Sequence, residues 1–126
     1  MSEIDNVVFA FSADNVIRLT GLSKGQLAYW DKLGFFPPQY ASDNRKSPYS
    51  RVYSFRDVVG LRTLSLLRKE HKVSFQRLRK FAERLADYDP ALWSRSQVYM
   101  LGKEFYIGPP DSEFAENSEG QYAPII

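Results

Sequence analysis

Residues 23–53 read SKGQLAYWDKLGFFPPQYASDNRKSPYSRVY. This stretch begins with a short helix, because Ser23 and Gln26 have the S-x-x-Q spacing of a capping box. Leu27 and Trp30 recur about once per helical turn and are expected to face inward. Gly34 predicts the end of the helix, since glycine suits the left-handed position that follows a last turn.

A basic loop and a strand complete the stretch. Pro37–Pro38 prevents the helix from continuing, and Ala41–Pro48 is polar enough for an exposed loop. The residues after it alternate as in a strand. We expect a hairpin that pairs Pro38–Ala41 with Arg51–Tyr53, with Arg45 and Lys46 at its tip. A helix followed by such a hairpin is the sequence form of a helix and a β-wing.

Three more helices are predicted around this stretch, with N-caps at Ser12, Ser54 and Ser74. The first ends at Thr20-Gly21 and is expected to turn Val16, Ile17 and Leu19 inward. The third extends to about Glu70, and the fourth ends near Leu85, after a turn at His71-Lys72-Val73. Two short helices separated only by Gly21-Leu22 are typical of a helix-turn-helix, although a plain αα-hairpin has the same pattern. An edge strand is expected at Val7–Phe11.

After the fourth helix the sequence changes from a basic, helical pattern to strand-like segments and an acidic tail. Gln97–Leu101 and Glu104–Ile107 predict a hairpin that turns at Gly102-Lys103, and the acidic tail after Pro110 is expected to be weakly ordered. We predict a DNA-binding domain at residues 1–88. Residues 89–126 would be a hairpin and tail that begin a further domain or a dimerisation element. The predicted fold is mainly α: a winged helix-turn-helix of four helices with a β-hairpin wing, followed by a small C-terminal β-hairpin.

The charge is distributed unevenly along the 126 residues. Between Arg18 and Arg84 there are 15 Lys or Arg and five Asp or Glu, a net charge of +10, whereas the rest of the chain carries −8. Phosphate contacts dominate non-specific DNA affinity, so a segment this basic favours a nucleic-acid partner over a solvated surface. The acidic N-terminus lacks the basic start of a signal peptide, which favours a cytoplasmic, nucleoid-associated protein.

The composition also excludes several kinds of chemistry. There is no cysteine and His71 is the single histidine, which excludes disulfides, thiolate metal sites and His-rich metal clusters. No nucleophile–base pair, carboxylate pair or phosphate-binding glycine loop is present. We therefore expect neither an enzyme nor a cofactor.

From about Phe11 to Leu85 the chain resembles the MerR family of winged-helix DNA-binding regulators. The motifs that carry the resemblance are TGLSKGQLAYWDKLGFFPP, SRVYSFRDV and LRKEHKVSFQRLRKF, in this order and spacing. The resemblance implies that the second helix enters the major groove of double-stranded DNA, while the wing and the turn near Lys72 grip the backbone. The residues it places at DNA are Ser23, Lys24, Gln26, Tyr29, Lys32, Arg45, Lys46, Tyr49, Arg51, Tyr53 and Lys72.

Some of these roles stay open between two interpretations. Gln26 contacts a base or is used in its capping box. Trp30 is more typical of a core residue, and His71 of a turn residue. The cations at positions 77, 80 and 84 form either a solvated face or a further DNA contact. Arg51 and Tyr53 match the family's phosphate-contacting wing pair.

The chain also departs from the family. Family members often carry an arginine in the second helix where this chain has Ala28. The long dimerisation helix expected after the fourth helix is absent, and a break at Asp89-Pro90 and the predicted hairpin stand in its place. The pattern thus predicts a DNA-binding transcriptional regulator that acts as a homodimer. Two alternatives are an antitoxin-like protein that binds a partner through its C-terminal segment and an excisionase-like protein that bends DNA.

Overall fold

The structure, a computed structural model, describes residues 9–46 and 50–125. Within these ranges the helices are α1 (Ala13–Thr20), α2 (Lys24–Lys32), α3 (Phe55–Lys69), α4 (Phe75–Arg84) and α5 (Leu92–Arg95). The strands are β1 (Ala10–Ser12), β2 (Tyr40–Ala41), β3 (Arg51–Ser54), β4 (Gln97–Leu101), β5 (Glu104–Gly108), β6 (Phe114–Glu116) and β7 (Tyr122–Pro124). Val7, Val8 and Tyr49, which entered the predictions above, lie outside the described residues.

The helix starts lie where the capping residues predict them. The Ser23 hydroxyl accepts from the backbone N–H of Gln26 at 3.0 Å, and the Gln26 side chain accepts from the Ser23 N–H at 2.8 Å. Reciprocal boxes also begin α1 at Ser12 and α3 at Ser54. Gly21 ends α1 at a φ of +78°, a backbone conformation that glycine adopts without a Cβ penalty. These predictions are confirmed.

The wing belongs to a three-stranded antiparallel sheet with the order β1-β3-β2. Tyr40 pairs with Val52 and Ala41 with Arg51, as the predicted hairpin requires. On its other side β3 pairs with β1, where Phe11 lies opposite Tyr53. We use the name wing for the described residues of 40–54. Because β3 leads directly into α3, this sheet fixes the wing to the helical core.

The helices share one buried apolar cluster. Its members include Trp30 of α2, Leu61 and Leu64 of α3, and Phe81 of α4. The ring of Trp30 stacks on Phe75 at 5.6 Å, which holds α2 against the start of α4. Trp30 is thus a core residue. One inward prediction was wrong: Leu19 is 46% exposed, because the buried side of α1 is set by Val16 and Thr20.

The C-terminal segment contains more structure than predicted. The hairpin of β4 and β5 around Gly102-Lys103 is confirmed, but β6 and β7 extend it to a four-stranded antiparallel sheet with the order β4-β5-β6-β7. The expectation of a weakly ordered tail was wrong, since the tail supplies two strands. Phe105 and Ile107 of this sheet join the same buried cluster as the helices.

The segment after the predicted break at Asp89-Pro90 forms α5. Trp93 of α5 is buried, and its indole Nε1 donates to the Tyr88 hydroxyl at 2.9 Å. Gly60 of α3 lies against Phe36 and α5, because a Cβ there would lie 3.2 Å from the Phe36 ring and 3.4 Å from Cβ of Trp93. The predicted fold class needs correction: the described residues form a mixed α/β structure with five helices and two sheets. Among them, no helix is long and apolar enough to cross a membrane.

Candidate nucleic-acid interface

The two sides of α2 have different roles. Leu27 and Trp30 are buried in the core, whereas Lys24, Lys32 and Tyr29 are exposed, Tyr29 to 50%. This division follows from the helical period of 3.6 residues, which places positions 24, 28 and 32 on one face. A helix with one side in the core and a cationic side toward solvent can be presented to a polyanion.

The wing meets this face of α2 at Asp31. Arg45 donates from Nε to Oδ2 of Asp31 at 2.9 Å and from Nη2 to Oδ1 at 3.2 Å. Arg51 donates from Nε to Oδ2 at 2.7 Å. The Asp31 side chain is 5% exposed. Two arginines of the wing are therefore held against α2 by one buried carboxylate.

The charge state of Asp31 follows from these contacts. Burial on its own would raise the pKa of the Asp31 carboxyl, but the hydrogen bonds and positive charges of Arg45 and Arg51 outweigh it and lower the pKa below the ordinary 3.8. The carboxylate is thus ionised at neutral pH, and it neutralises part of the charge that the two arginines bring together.

A cavity of about 490 Å³ opens at this meeting point. Its lining contains three cations and two carboxylates with two small or aromatic neighbours, namely Ala28, Tyr29, Asp31, Lys32, Asp43, Arg45 and Arg51. The cavity is open to solvent and keeps an excess of positive charge. Such a site can accept an anionic group that enters between α2 and the wing.

The predicted site residues differ in whether their side chains are free to face solvent beside the cavity between α2 and the wing. Ser23 and Gln26 use their side chains in the capping box of α2. Lys46 is exposed, with its backbone N–H bonded to the Asn44 side chain at 3.0 Å. Arg45, expected at the wing tip, turns back onto α2. Tyr49 lies outside the described residues.

Tyr53 does not lie on this surface. Its side chain is 0% exposed and belongs to the buried apolar cluster. The hydroxyl is buried without a hydrogen-bond partner among the described residues, and burial raises its pKa to about 12. In this conformation the hydroxyl is enclosed by protein and cannot contact a phosphate directly.

Lys72 lies outside the wing, in the turn that leads into α4. It occupies the turn between α3 and α4 at a φ of +56° and is exposed. Phe75, at the start of α4, contacts Tyr29 at 6.0 Å and stacks on Trp30, whereas the wing contacts Asp31. The wing and the start of α4 therefore contact different residues of α2.

The contacts of Asp31 and the ion pairs of α4 are features that sequence reasoning missed. Asp31 could have been noticed as the one acid in α2 of a strongly basic segment. The α4 cations were expected to be solvated or at DNA, but the structure pairs each with a glutamate of the C-terminal segment: Arg77 with Glu104, Lys80 with Glu119 and Arg84 with Glu116.

A larger cavity of about 860 Å³ lies away from this surface. It opens between α4, α5 and the C-terminal sheet and is mostly apolar, with Phe81, Leu92, Ile107 and Phe114 among its walls. Within the described residues, no group of three or more His, Cys, Asp or Glu side chains could hold a metal ion.

Comparison with known proteins identifies the family. Residues 11–85 match the family model described as MerR HTH family regulatory protein. No curated protein and no solved structure matches the chain. Regulators of this family are typically non-enzymatic. Because the matched residues make up more than half of the sequence and contain α1 to α4 with the wing, the chain belongs to the MerR HTH family, a membership that suggests DNA-binding transcriptional regulation.

Proposed function

We propose that the chain is a sequence-specific DNA-binding transcriptional regulator that inserts α2 into the major groove and lays the wing on the phosphate backbone. The observation that carries this proposal is the convergence of cations from α2 and the wing around one open cavity. Lys32 from α2 and Arg45 and Arg51 from the wing line it together. An α-helix fits the width of the major groove, and arginine and lysine bind phosphate.

The exposed face of α2 would read the bases. Lys24 and Lys32 can reach base edges or phosphates, and Tyr29 offers an exposed aromatic ring beside them. We assign Gln26 to the helix start instead, since its side-chain oxygen accepts from the Ser23 N–H and its backbone N–H donates to the Ser23 hydroxyl. Lys46 of the wing and Lys72 of the turn before α4 would hold the backbone on the two sides of α2.

We propose a homodimer as the active form. Two copies of α2 related by a two-fold axis would read two half-sites spaced by about one helical turn of DNA, 10–10.5 base pairs. Sedimentation equilibrium over a range of protein concentrations tests the assembly. A protein that stays monomeric both alone and on its selected DNA would contradict it.

The acidic C-terminal segment bears on the alternative of a protein-binding, antitoxin-like role. Three of its carboxylates, Glu104, Glu116 and Glu119, pair with cations of α4. A basic partner would have to displace α4 from these groups. This favours DNA binding by the chain without such a partner.

In vitro selection from random duplexes, followed by fluorescence anisotropy over a salt series, tests the proposal. We expect the selected duplex to bind at least about 10³-fold more tightly than a scrambled one, with affinity that falls steeply as salt rises. Equal affinity for all duplexes would contradict sequence-specific regulation. A selected duplex bent by more than about 40° would favour the architectural, excisionase-like role.

A further inference from the structure

The exposed face of α2 lacks a cation at its centre. Lys24 and Lys32 stand at its two ends, and position 28, four residues from each, is alanine. Ala28 is half-buried and forms part of the wall of the 490 Å³ cavity. A backbone phosphate placed over the middle of this face would find a methyl group from the helix itself.

Arg45 of the wing reaches this place from outside the helix. It lines the same cavity as Ala28, although it lies 14 positions after Asp31. Three of its contacts fix the guanidinium: two N–H groups donate to the two oxygens of Asp31, and Nη1 donates to the carbonyl of Ser42. A guanidinium carries five N–H donors, so donors remain for an anion in the cavity.

Arg51 completes the cationic wall. It uses Nε to bond Asp31, and its two terminal nitrogens have no partner among the described residues. With Lys32, the cavity has three cations against the carboxylates of Asp31 and Asp43. Holding two arginines in place before a ligand arrives reduces the conformational entropy that binding would otherwise cost.

We propose that this cavity binds one phosphodiester group of DNA and that Arg45 supplies, in front of Ala28, the cation that the centre of α2 lacks. Asp31 is the positioning residue that holds Arg45 and Arg51 there. This inference rests on the proposed function, because it assigns one element of the DNA contact. It makes a carboxylate essential on a surface whose ligand is an anion.

The exchange of cations between positions 45 and 28 tests the assignment of Arg45. Anisotropy with the duplex selected by the wild-type protein is measured for Arg45→Ala, Ala28→Arg and the double variant, over a salt series. We expect Arg45→Ala to lose about tenfold or more in affinity and about one unit of the salt slope. Ala28→Arg in that background should restore affinity to within about threefold, since the guanidinium introduced on α2 can then bond Asp31.

Arg79→Ala is the matched control, because Arg79 is an exposed cation of α4 that pairs with Glu83 at 3.3 Å. It removes the same charge at another site and should change affinity by less than about threefold. Wild-type affinity in Arg45→Ala, or a double variant that folds by circular dichroism and binds no better than Arg45→Ala, would overturn the inference alone. A wild-type protein that binds no duplex would overturn the proposed function as well.

The positioning role of Asp31 can be tested with Asp31→Asn, because positioning and simple charge masking predict opposite changes in DNA affinity. Removal of a negative charge beside DNA strengthens binding by simple electrostatics, so Asp31→Asn should tighten it if Asp31 only masks positive charge. If Asp31 is a positioning residue, Asp31→Asn should instead weaken DNA binding by about fivefold or more. That loss should shrink in the Arg45→Ala background, as a double-mutant cycle measures. Tighter binding by Asp31→Asn would overturn the positioning role.

Discussion

Arg51 on β3 donates from Nε to Oδ2 of Asp31 on α2 at 2.7 Å, a contact that spans 20 positions of sequence. This contact joins the wing to α2, whose cationic side faces solvent. Because Arg45 bonds the same carboxylate, a single acid holds two arginines of the wing against α2. We therefore expect the stability of the fold and, if the proposed function holds, the affinity for DNA to depend on Asp31.

Asp31→Asn should lower the free energy of unfolding by about 1–3 kcal/mol at pH 7, because an amide keeps one acceptor but loses the charge that strengthens its bonds to Arg45 and Arg51. The pKa of Asp31 is lowered in the folded state. Its contribution is thus fully present above about pH 4 and is lost as pH falls below 3.8 through the folded-state pKa. Urea denaturation from pH 7 to about pH 2.5 measures the difference between the two proteins.

Asp43→Asn is the control for that series, because Asp43 lines the same cavity but is exposed and makes no hydrogen bond among the described residues. It should change stability by less than about 0.5 kcal/mol. A difference between wild type and Asp31→Asn that stays constant down to the lowest pH would show that the charge of Asp31 does not stabilise the fold.

The buried Tyr53 and the half-buried Tyr88 offer a comparison of two hydroxyl groups. The Tyr88 hydroxyl donates to the carbonyl of Phe35 at 2.6 Å and accepts from Nε1 of Trp93 at 2.9 Å, whereas the Tyr53 hydroxyl has no partner among the described residues. Burial raises the pKa of both. Tyr88→Phe should cost about 1–3 kcal/mol of unfolding free energy, because it leaves two buried polar groups unpaired. Tyr53→Phe should cost nothing or stabilise slightly.

Chemical denaturation of the two Phe variants checks these values, and DNA titration adds a second result for Tyr53. Because its hydroxyl is buried, Tyr53→Phe should bind the selected duplex with wild-type affinity. A folded Tyr53→Phe protein with several-fold weaker binding would instead place this hydroxyl at a phosphate, as the resemblance implied.

The sequence predicted those features that depend on neighbouring residues. The predicted N-caps at Ser12, Ser23 and Ser54 join groups three positions apart. The wing register follows from short strands that are joined through one loop. Local hydrogen bonding determines such elements, so a single sequence suffices for them.

The features that were missed depend on contacts between distant segments. The acidic tail has a weak apolar pattern, but Glu116 reaches Arg84, and Ala115 is buried in the sheet. The four residues of α5 are too few to show a helical period, and Trp93 packs beside Gly60 of α3. The convergence of two wing arginines on Asp31 likewise requires the folded wing. The periodicity of a single sequence does not predict contacts between segments that are distant along the chain.

A comparison of alanine substitutions at Gly120 and Gly102 distinguishes the cost of backbone strain from the cost of steric contact. Both have a positive φ, +83° and +65°. A Cβ on Gly120 would lie 2.8 Å from Nη1 of Arg84, whereas one on Gly102 would meet nothing within 4 Å. Gly102→Ala should therefore cost about 1 kcal/mol of unfolding free energy for strain alone. Gly120→Ala should cost about 0.5 kcal/mol more, since a Cβ pushes the flexible end of Arg84 away from Glu116 and from the carbonyl of Asn117.

The double variants identify the source of the extra cost. In an Arg84→Ala background, Gly120→Ala and Gly102→Ala should destabilise the protein equally, because the displaced group is gone. Urea denaturation measures the single and double variants together. If the extra cost of Gly120→Ala persists without Arg84, the cause is the turn itself and not the contact between α4 and the C-terminal sheet.

The ion pairs between α4 and the C-terminal segment should differ in their response to salt. The side chains of Arg84 and Glu116 are 33% and 22% exposed, whereas those of Lys80 and Glu119 are 53% and 54% exposed. Exposed pairs are screened by ions and stabilise little, and partly buried pairs are screened less. Glu119→Gln should therefore leave the Tm nearly unchanged at every salt concentration. Glu116→Gln should lower it measurably, and part of that loss should remain at about 1 M NaCl. Thermal unfolding of both variants from low to high salt distinguishes the pairs, and equal Tm shifts that vanish together at high salt would mean that burial does not separate them.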